Sequence, residues 1–331
     1  MTDKLKKHIE HSKIAASANK AKGNKHVEIL SSLYNNPARF IEEILQNTED
    51  AYNNLNDCSS EPEVVFELTS ESLIVKHNAK VFDEDDLIAI TTIGLSTKNQ
   101  FNDVNMIGKF GLGFKSVYSV CENPKIHSDN FHFEIQDYEV LYKIEEVKDL
   151  NYNTLIILPL KKDKKIFNFI LQALYDINFS KLLFCNLLNR ISIQTPDRNF
   201  QISKIKTFEF DEFNAVYCFK NSYTNETKDF VISKFLKSNV LKFAAAFCVE
   251  FDAKLSKVKF ISQDVKSLFV FYETLESCSL DFYLHANFTT TPTREHIPFC
   301  SLKTPENLVL LDDLRVWFYN LIMNFKKFNI L

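Results

Sequence analysis

Glycine placement constrains this chain more than any other feature of its sequence. Only five glycines occur in 331 residues, where an average composition would supply roughly 23. Gly23 stands alone, while Gly94, Gly108, Gly111 and Gly113 fall within one stretch, 94–113. Glycine reaches backbone conformations and close approaches that other residues reach only at a cost. A chain that does without it elsewhere and gathers it here points to a tight backbone turn at this place. The same placement excludes collagen, glycine/serine linkers and low-complexity disorder.

The length of 331 residues suggests two domains at roughly 100–200 residues each. A net charge of −4 gives no global electrostatic case for nucleic acid, and no basic patch stands out beyond the first 25 residues. Seven cysteines, widely spaced and without a CxxC pair, read as reduced thiols of a cytoplasmic protein and not as a disulfide frame or zinc site. The longest apolar run, Phe243 to Val249, is far short of the about 20 residues a membrane span needs. No membrane attachment is therefore expected.

Residues 1–30 are polar and lysine-rich and read as a basic N-terminal arm or solvated helix, or as an arm that docks on a partner subunit. The period of Ile41, Ile44, Thr48, Ala51, Tyr52 and Leu55 predicts a helix over 37–55, with Pro37 in its first turn. Two short strands follow, 63–68 and 72–76, joined by a polar turn. The acidic run 83–86 starts a short helix. The glycine stretch leads into a helix over 114–120, and strands come at 125–128, 131–135 and 155–160. The cluster Lys161, Lys162, Lys164 and Lys165 marks a boundary. Beyond it a helix over 166–177, strands at 190–194, 200–210, 216–219, 230–235, 241–251, 267–272 and 280–287, and a helix over 306–325 are predicted. The fold class is α+β, in domains 31–165 and 166–331.

On the helix over 37–55, taking Glu43 as zero, Asn47 lies at about 40° and Asp50 at about −20°. The apolar residues centre on the far side. The three polar groups form a narrow stripe beside a buried face, either at the lip of a pocket or as a plain solvated face. Gly108-Lys109-Phe110-Gly111-Leu112-Gly113 has the order GxxGxG before a helix. It is neither the dinucleotide fingerprint nor a P-loop. What remains is a glycine turn that delivers backbone N–H groups at a helix N-terminus, a place suited to phosphate. Upstream, Thr91-Thr92-Ile93-Gly94-Leu95-Ser96-Thr97-Lys98 offers hydroxyls and a lysine that could meet the same phosphates.

These motifs resemble those of the GHKL ATPases, the superfamily of DNA gyrase B, the ninety-kilodalton heat-shock chaperone, histidine kinases and MutL. The run 43–51, Glu-Ile-Leu-Gln-Asn-Thr-Glu-Asp-Ala, looks like the N box. The run 106–118 looks like the second glycine box, 93–98 like the start of the ATP lid, and 153–160 like the strand whose threonine, here Thr154, supports adenine binding. The sacsin-type members are the most similar in flavour, through 33–50 and through His77-Asn78-Ala79-Lys80-Val81-Phe82. The resemblance implies a Bergerat fold, helices on a mixed and largely antiparallel sheet, followed by an α/β transducer-like domain. It implies ATP and Mg²⁺ as ligands.

Carried over residue by residue, the resemblance makes Glu43 the general base, Asn47 the Mg²⁺ ligand and Asp50 a support of the nucleotide. The backbone from Gly108 to Phe114 would cradle phosphate, with Lys98 and Lys109 neutralising charge. The adenine side departs from the pattern. Where the family's first glycine box runs Asp-x-Gly, this sequence has His77, Asn78 and Ala79. His77 could recognise adenine only through a different hydrogen-bond arrangement. Arg294-Glu295, in the stretch 288–297, looks like the loop that sends an arginine to the γ-phosphate in the heat-shock chaperone; read alone it is a loop with a helix cap.

The expected function is slow, Mg²⁺-dependent ATP hydrolysis that drives lid and domain closure. It is chaperone-like or part of a bacterial defence system, with a nucleotide-dependent homodimer and an unidentified client or effector. A nucleotide-binding module without turnover stands beside it because of His77 and Ala79. A histidine kinase is disfavoured because no phosphoacceptor helix precedes the N box.

Overall fold

The computed structural model describes residues 2–21, 39–55, 61–92, 113–147, 151–238, 240–255, 257–291, 293–299 and 304–327. Gly94, Ser96, Lys98, Gly108, Lys109, Phe110, Gly111 and Leu112 lie outside the described residues. The fold is α+β, in two compact units. The first comprises Met1–Ile177 with Asn186–Gln201, the second Asn178–Cys185 with Ile202–Leu331.

The first unit carries α1 (Asp3–Ala21), α2 (Arg39–Asn53), β1 (Glu63–Leu68), β2 (Ser72–His77), α3 (Glu84–Thr91), a 3₁₀ helix (Gly113–Ser119), β3 (Lys125–Ser128), β4 (Phe131–Gln136), β5 (Val140–Lys143), β6 (Thr154–Pro159), α4 (Lys164–Tyr175) and β7 (Arg190–Gln194). Its strands run in the order β7-β1-β2-β6-β3-β4-β5. Among these pairings only β1 with β7 is parallel; the others are antiparallel. Helix and strand faces follow their periods: β2 alternates half-buried and buried residues along its whole length.

Helix α3 shows how local sequence sets an element. Asp83 caps it by accepting from Asp86 N–H at 2.9 Å, and the Asp86 carboxylate returns the bond to Asp83 N–H at 3.1 Å. This is a capping box built from two aspartates. Its Leu87 packs with Leu5, Ile126, Phe133, Ile135 and Leu141 against the β3-β4-β5 end of the sheet.

The N-terminal helix is not the solvated element its lysines suggest. Leu5 of α1 is fully buried in that same cluster. Polar contacts fix the rest: Thr2 bonds Glu84, Lys4 pairs with Asp85, and His8 Nε2 meets Thr91 Oγ1 at 2.8 Å. Further along, Asn19 donates to Glu139 at 3.0 Å. The apolar residues Leu5, Ile9 and Ala16 are too few to give a strong helical period, so the docking face is short and hard to see among the charges.

The second unit is built of β8 (Asn199–Glu209, from Ile202), β9 (Asn214–Asn221), β10 (Glu226–Lys237), β11 (Val240–Asp252), β12 (Lys257–Phe260), β13 (Val265–Val270), β14 (Tyr272–Leu280), β15 (Tyr283–Ala286) and α5 (Glu306–Lys327). Its strands run β14-β13-β15-β11-β10-β9-β8, with β12 on β11. Leu321 and Phe325 of α5 pack on Val216, Val231, Ala245 and Val249. The Phe247 ring lies 5.4 Å from Phe325 and 4.7 Å from Phe282. Lys204 is buried among these strands, its ammonium donating to the carbonyls of Leu182, Leu183 and Cys185 at 3.2, 3.4 and 2.7 Å. Among the described residues no helix is long and apolar enough to cross a membrane.

Candidate nucleotide site

Helix α2 is the organising element of the first unit. Its polar face is covered as thoroughly as its apolar one. Glu43 is 6% exposed and Asp50 2%, and Asn47 is half-buried. The stripe is therefore not a solvated face. Tyr52 locks the helix to the sheet: its hydroxyl donates to Glu63 O at 2.9 Å and accepts from Glu63 N–H at 3.0 Å and Asn78 N–H at 3.3 Å. One side chain thus ties the end of α2 to the start of β1 and to the residue that follows β2. Tyr52 counted only as a core residue in the sequence, because a helical period reports its ring and not its hydroxyl.

The Glu43 carboxylate lies against the start of the 3₁₀ helix at Gly113. A Cβ placed on Gly113 would run into Glu43 Oε2 well inside van der Waals contact, and would stand 3.2 Å from Glu43 Cδ. The glycine here is a matter of close approach and not of backbone conformation. The structure brings Glu43 and Gly113, the last glycine of the glycine stretch, into direct apposition.

Beyond Gly113 the chain turns inward. The Phe114 side chain packs against the Leu5–Leu87 cluster, so its ring belongs to the core. Lys115 is 5% exposed, and its ammonium donates to Tyr138 O at 2.6 Å. Burial pulls its pKa down to about 7 against the opposing pull of Glu139. No local pattern separates this lysine from those at the surface.

The third group of site residues gathers at the ends of β2, β6 and β3. His77 stands opposite Thr154 in the β2–β6 register, and Thr154 opposite Ser128 in the β3–β6 register. Thr154 Oγ1 and Ser128 Oγ are 2.7 Å apart. Asn78 Oδ1 accepts from Asn153 N–H at 3.0 Å, while Asn153 Nδ2 returns bonds to Asn78 O and Ala79 O at 3.0 and 3.1 Å. His77 is buried, and burial lowers its pKa to about 4. Its Nδ1 accepts from Ala79 N–H at 3.3 Å. The neutral ring therefore carries its proton on Nε2, a hydrogen-bond donor where an aspartate would accept. Ala79 is fully buried.

The sign of the His77 shift fixes a pH dependence. The unfolded chain binds this proton below its ordinary pKa of about 6.5, while the folded chain resists it down to about 4. Stability is expected to fall as pH drops across that window. In acid-unfolding titrations His77→Asn should flatten the fall relative to wild type; identical slopes would contradict the assignment. His285 of the second unit, lowered to about 3 by burial, contributes with the same sign in both proteins, so the comparison isolates His77.

Arg294 lies in the second unit, in a loop held by Arg294 N–H to Thr291 O at 2.8 Å and Thr291 N–H to His296 O at 2.9 Å. Leu275 N–H donates to Glu295 O at 2.7 Å, which docks the loop on β14. Arg294 has φ 57°, a left-handed conformation that a non-glycine residue adopts at a cost of about 1–2 kcal/mol. Such outliers persist where the surroundings over-determine them.

Glu49 is a site-helix residue that sequence reasoning missed. It is 1% exposed. Its Oε1 accepts from Asn186 N–H at 2.6 Å and Leu187 N–H at 3.0 Å, and its Oε2 from Leu188 N–H at 2.7 Å. No local pattern announces this, because its partners lie about 140 residues away in sequence and donate through backbone alone.

The family model of the sacsin domain matches residues 25–240, which run from before α2 through β10. The chain belongs to the sacsin-domain family. Protein NO VEIN of Arabidopsis thaliana is 29% identical over 235 residues, covering 63% of this chain and 8% of that protein. Chaperone protein HtpG of Chlorobium chlorochromatii is 29% identical over 168 residues, 42% of this chain and 27% of that protein. Human sacsin is 32% identical over 111 residues, 30% of this chain and 2% of that protein. The sacsin-family chain thus spans less than a third of the length of each of these relatives. Two of the three carry no activity in their names; the third is named a chaperone.

Proposed function

We propose that this sacsin-family chain binds Mg-ATP through a Bergerat-type first unit and hydrolyses it slowly, as a conformational switch in chaperone-related work. The observation that carries the reading is the seating of the Glu43 carboxylate against Gly113, so close that a methyl group there would displace it. That contact sets a buried acid against the last glycine of the glycine-rich stretch.

The residues present fit the ligand. Asn47, half-buried one turn from Glu43, offers the side-chain oxygen a magnesium ion accepts, alongside phosphate oxygens and water. Among the described residues no group of three or more His, Cys, Asp and Glu gathers as a metal cage, and Mg²⁺ on a nucleotide does not require one. When bound, the ion supplies charge neutralisation at the triphosphate. Glu43 accepts a proton from the water that attacks the terminal phosphate, and the bond to the ADP oxygen breaks. Asp50 supports the nucleotide from the next turn of α2. The backbone of 108–114 supplies N–H groups to phosphate oxygens. Lys98 and Lys109 add positive charge there, with Gly94 and Ser96 at the lid, and Arg294 supplies a forked cation to the γ-phosphate.

Glu43→Ala is expected to lower Mg-ATP turnover by about 10²–10⁴-fold while calorimetry still records nucleotide binding. Unchanged turnover would remove Glu43 as the base. Absence of ATP and ADP binding by the wild-type chain would end the nucleotide reading altogether. Binding without turnover in wild type would favour the second reading, a nucleotide-binding module, which the buried neutral His77 and the buried Ala79 support.

A further inference from the structure

Among the polar side chains that α2 buries and the reading above does not use, Gln46 stands apart. Gln46 is 1% exposed, and its Nε2 has no hydrogen-bond partner in the structure. It lies at about −60° on the helix when Glu43 is zero, beside Asp50 at about −20°. Glu43, Gln46, Asn47 and Asp50 are thus related as i, i+3, i+4 and i+7, a continuous polar stripe.

Neighbouring polar side chains of the same helix satisfy themselves. Thr48 Oγ1 donates to Ile44 O at 2.9 Å, Glu49 holds three backbone N–H groups, and the Tyr52 hydroxyl makes three bonds. A buried amide nitrogen without an acceptor pays its desolvation with nothing in return, and a methionine of similar size would avoid that cost. The orphan stands next to Glu43, the group seated against Gly113. A buried, unused N–H donor one helical turn from an acid seated on Gly113 suits an incoming oxyanion: its acceptor arrives with the ligand.

We propose that Gln46 Nε2 donates to an oxygen of the terminal phosphate of bound nucleotide, holding that phosphate beside Glu43. This rests on the nucleotide reading and adds to it a residue that distinguishes a triphosphate from a diphosphate.

The test measures the dissociation constants of ADP and of a non-hydrolysable ATP analogue, with Mg²⁺, for wild type, Gln46→Met and Gln46→Glu, together with the melting temperature of each protein without nucleotide. Gln46→Met is expected to weaken the ATP analogue by about 10-fold or more, as for a hydrogen bond to a charged group. ADP affinity should stay unchanged, and the ligand-free melting temperature should be unchanged or higher. Gln46→Glu should weaken the analogue further, by like-charge repulsion. An unchanged ratio of the two affinities, with wild-type binding intact, overturns the proposal alone, as does a lowered melting temperature without a change in that ratio. Failure of wild type to bind either nucleotide overturns the underlying reading and this proposal with it.

Discussion

Gly113→Ala is expected to destabilise the chain by about 1–3 kcal/mol, the usual cost of overpacking, and to abolish most nucleotide turnover. Added to Glu43→Ala, the same substitution is expected to cost little. The reasoning rests on one contact. The Gly113 backbone does not occupy the left-handed region, so alanine is acceptable there conformationally. By restricting the unfolded chain, alanine would even add about 0.4–1 kcal/mol of stability. Against that gain stands the Glu43 carboxylate, whose Oε2 occupies the space the methyl needs and whose Cδ would lie at 3.2 Å. Glu43 is itself buried, so it has little room to swing aside. Chemical denaturation of the wild type, both single variants and the double variant gives the coupling directly. An equal loss from Gly113→Ala in both backgrounds would show that some other neighbour forbids the methyl.

Glu49→Ala is expected to cost about 3 kcal/mol or more, because each buried donor left unsatisfied costs about 1–3 kcal/mol. Three backbone N–H groups, from Asn186, Leu187 and Leu188, converge on this one carboxylate at 2.6–3.0 Å. Alanine strands all three in a place too buried for ready replacement by water. Glu49→Gln keeps one acceptor oxygen but turns an amide NH₂ towards donors, so it should fall between alanine and wild type. Denaturant unfolding measures the loss, and hydrogen exchange at the amides of 186–188 locates it. A loss below about 1 kcal/mol, the scale of a single ordinary hydrogen bond, would mean that the segment finds other acceptors.

Most elements were legible because their signals are local. The period of α2, the acidic cap of α3 and the alternation of β2 and β7 each follow from neighbours in sequence. The places where the reading slipped lack the usual markers. A strand predicted over 267–272 is in fact the end of β13 and the beginning of β14, because Phe271 turns the chain at φ 61°. A buried phenylalanine is not a residue that announces such a turn. The hairpin from β4 to β5 turns through Asp137 and Tyr138 at φ 48° and 68°, again without glycine, and β5 was not anticipated. The helix after Gly113 is 3₁₀ over Gly113–Ser119, a distinction the short apolar pattern does not carry.

In the candidate site the same division holds. The stripe of Glu43, Asn47 and Asp50 could be drawn on a helical wheel, but the wheel does not say what covers it. Burial of Gln46, the three bonds of Glu49 and the Tyr52 hydroxyl depend on segments far away in sequence. The meeting of Glu43 with Gly113 was suggested by motif order and becomes a contact only in the folded chain. Among the adenine-side residues, the His77–Thr154 pairing needed the register of two strands that are not consecutive in sequence.

Lys204 and Glu49 meet the backbone at a single peptide unit. The carbonyl of Cys185 accepts from the Lys204 ammonium at 2.7 Å, and the N–H of Asn186 donates to Glu49 at 2.6 Å. These are the two polar ends of one amide plane, pointing in opposite directions in a trans peptide. That plane is also where the chain passes from the second compact unit to the first. A cation on its oxygen and an anion on its hydrogen polarise it in the same sense, so each bond strengthens the other. Rotating the plane would break both at once. Turning this amide therefore costs two hydrogen bonds together, one to each buried side chain.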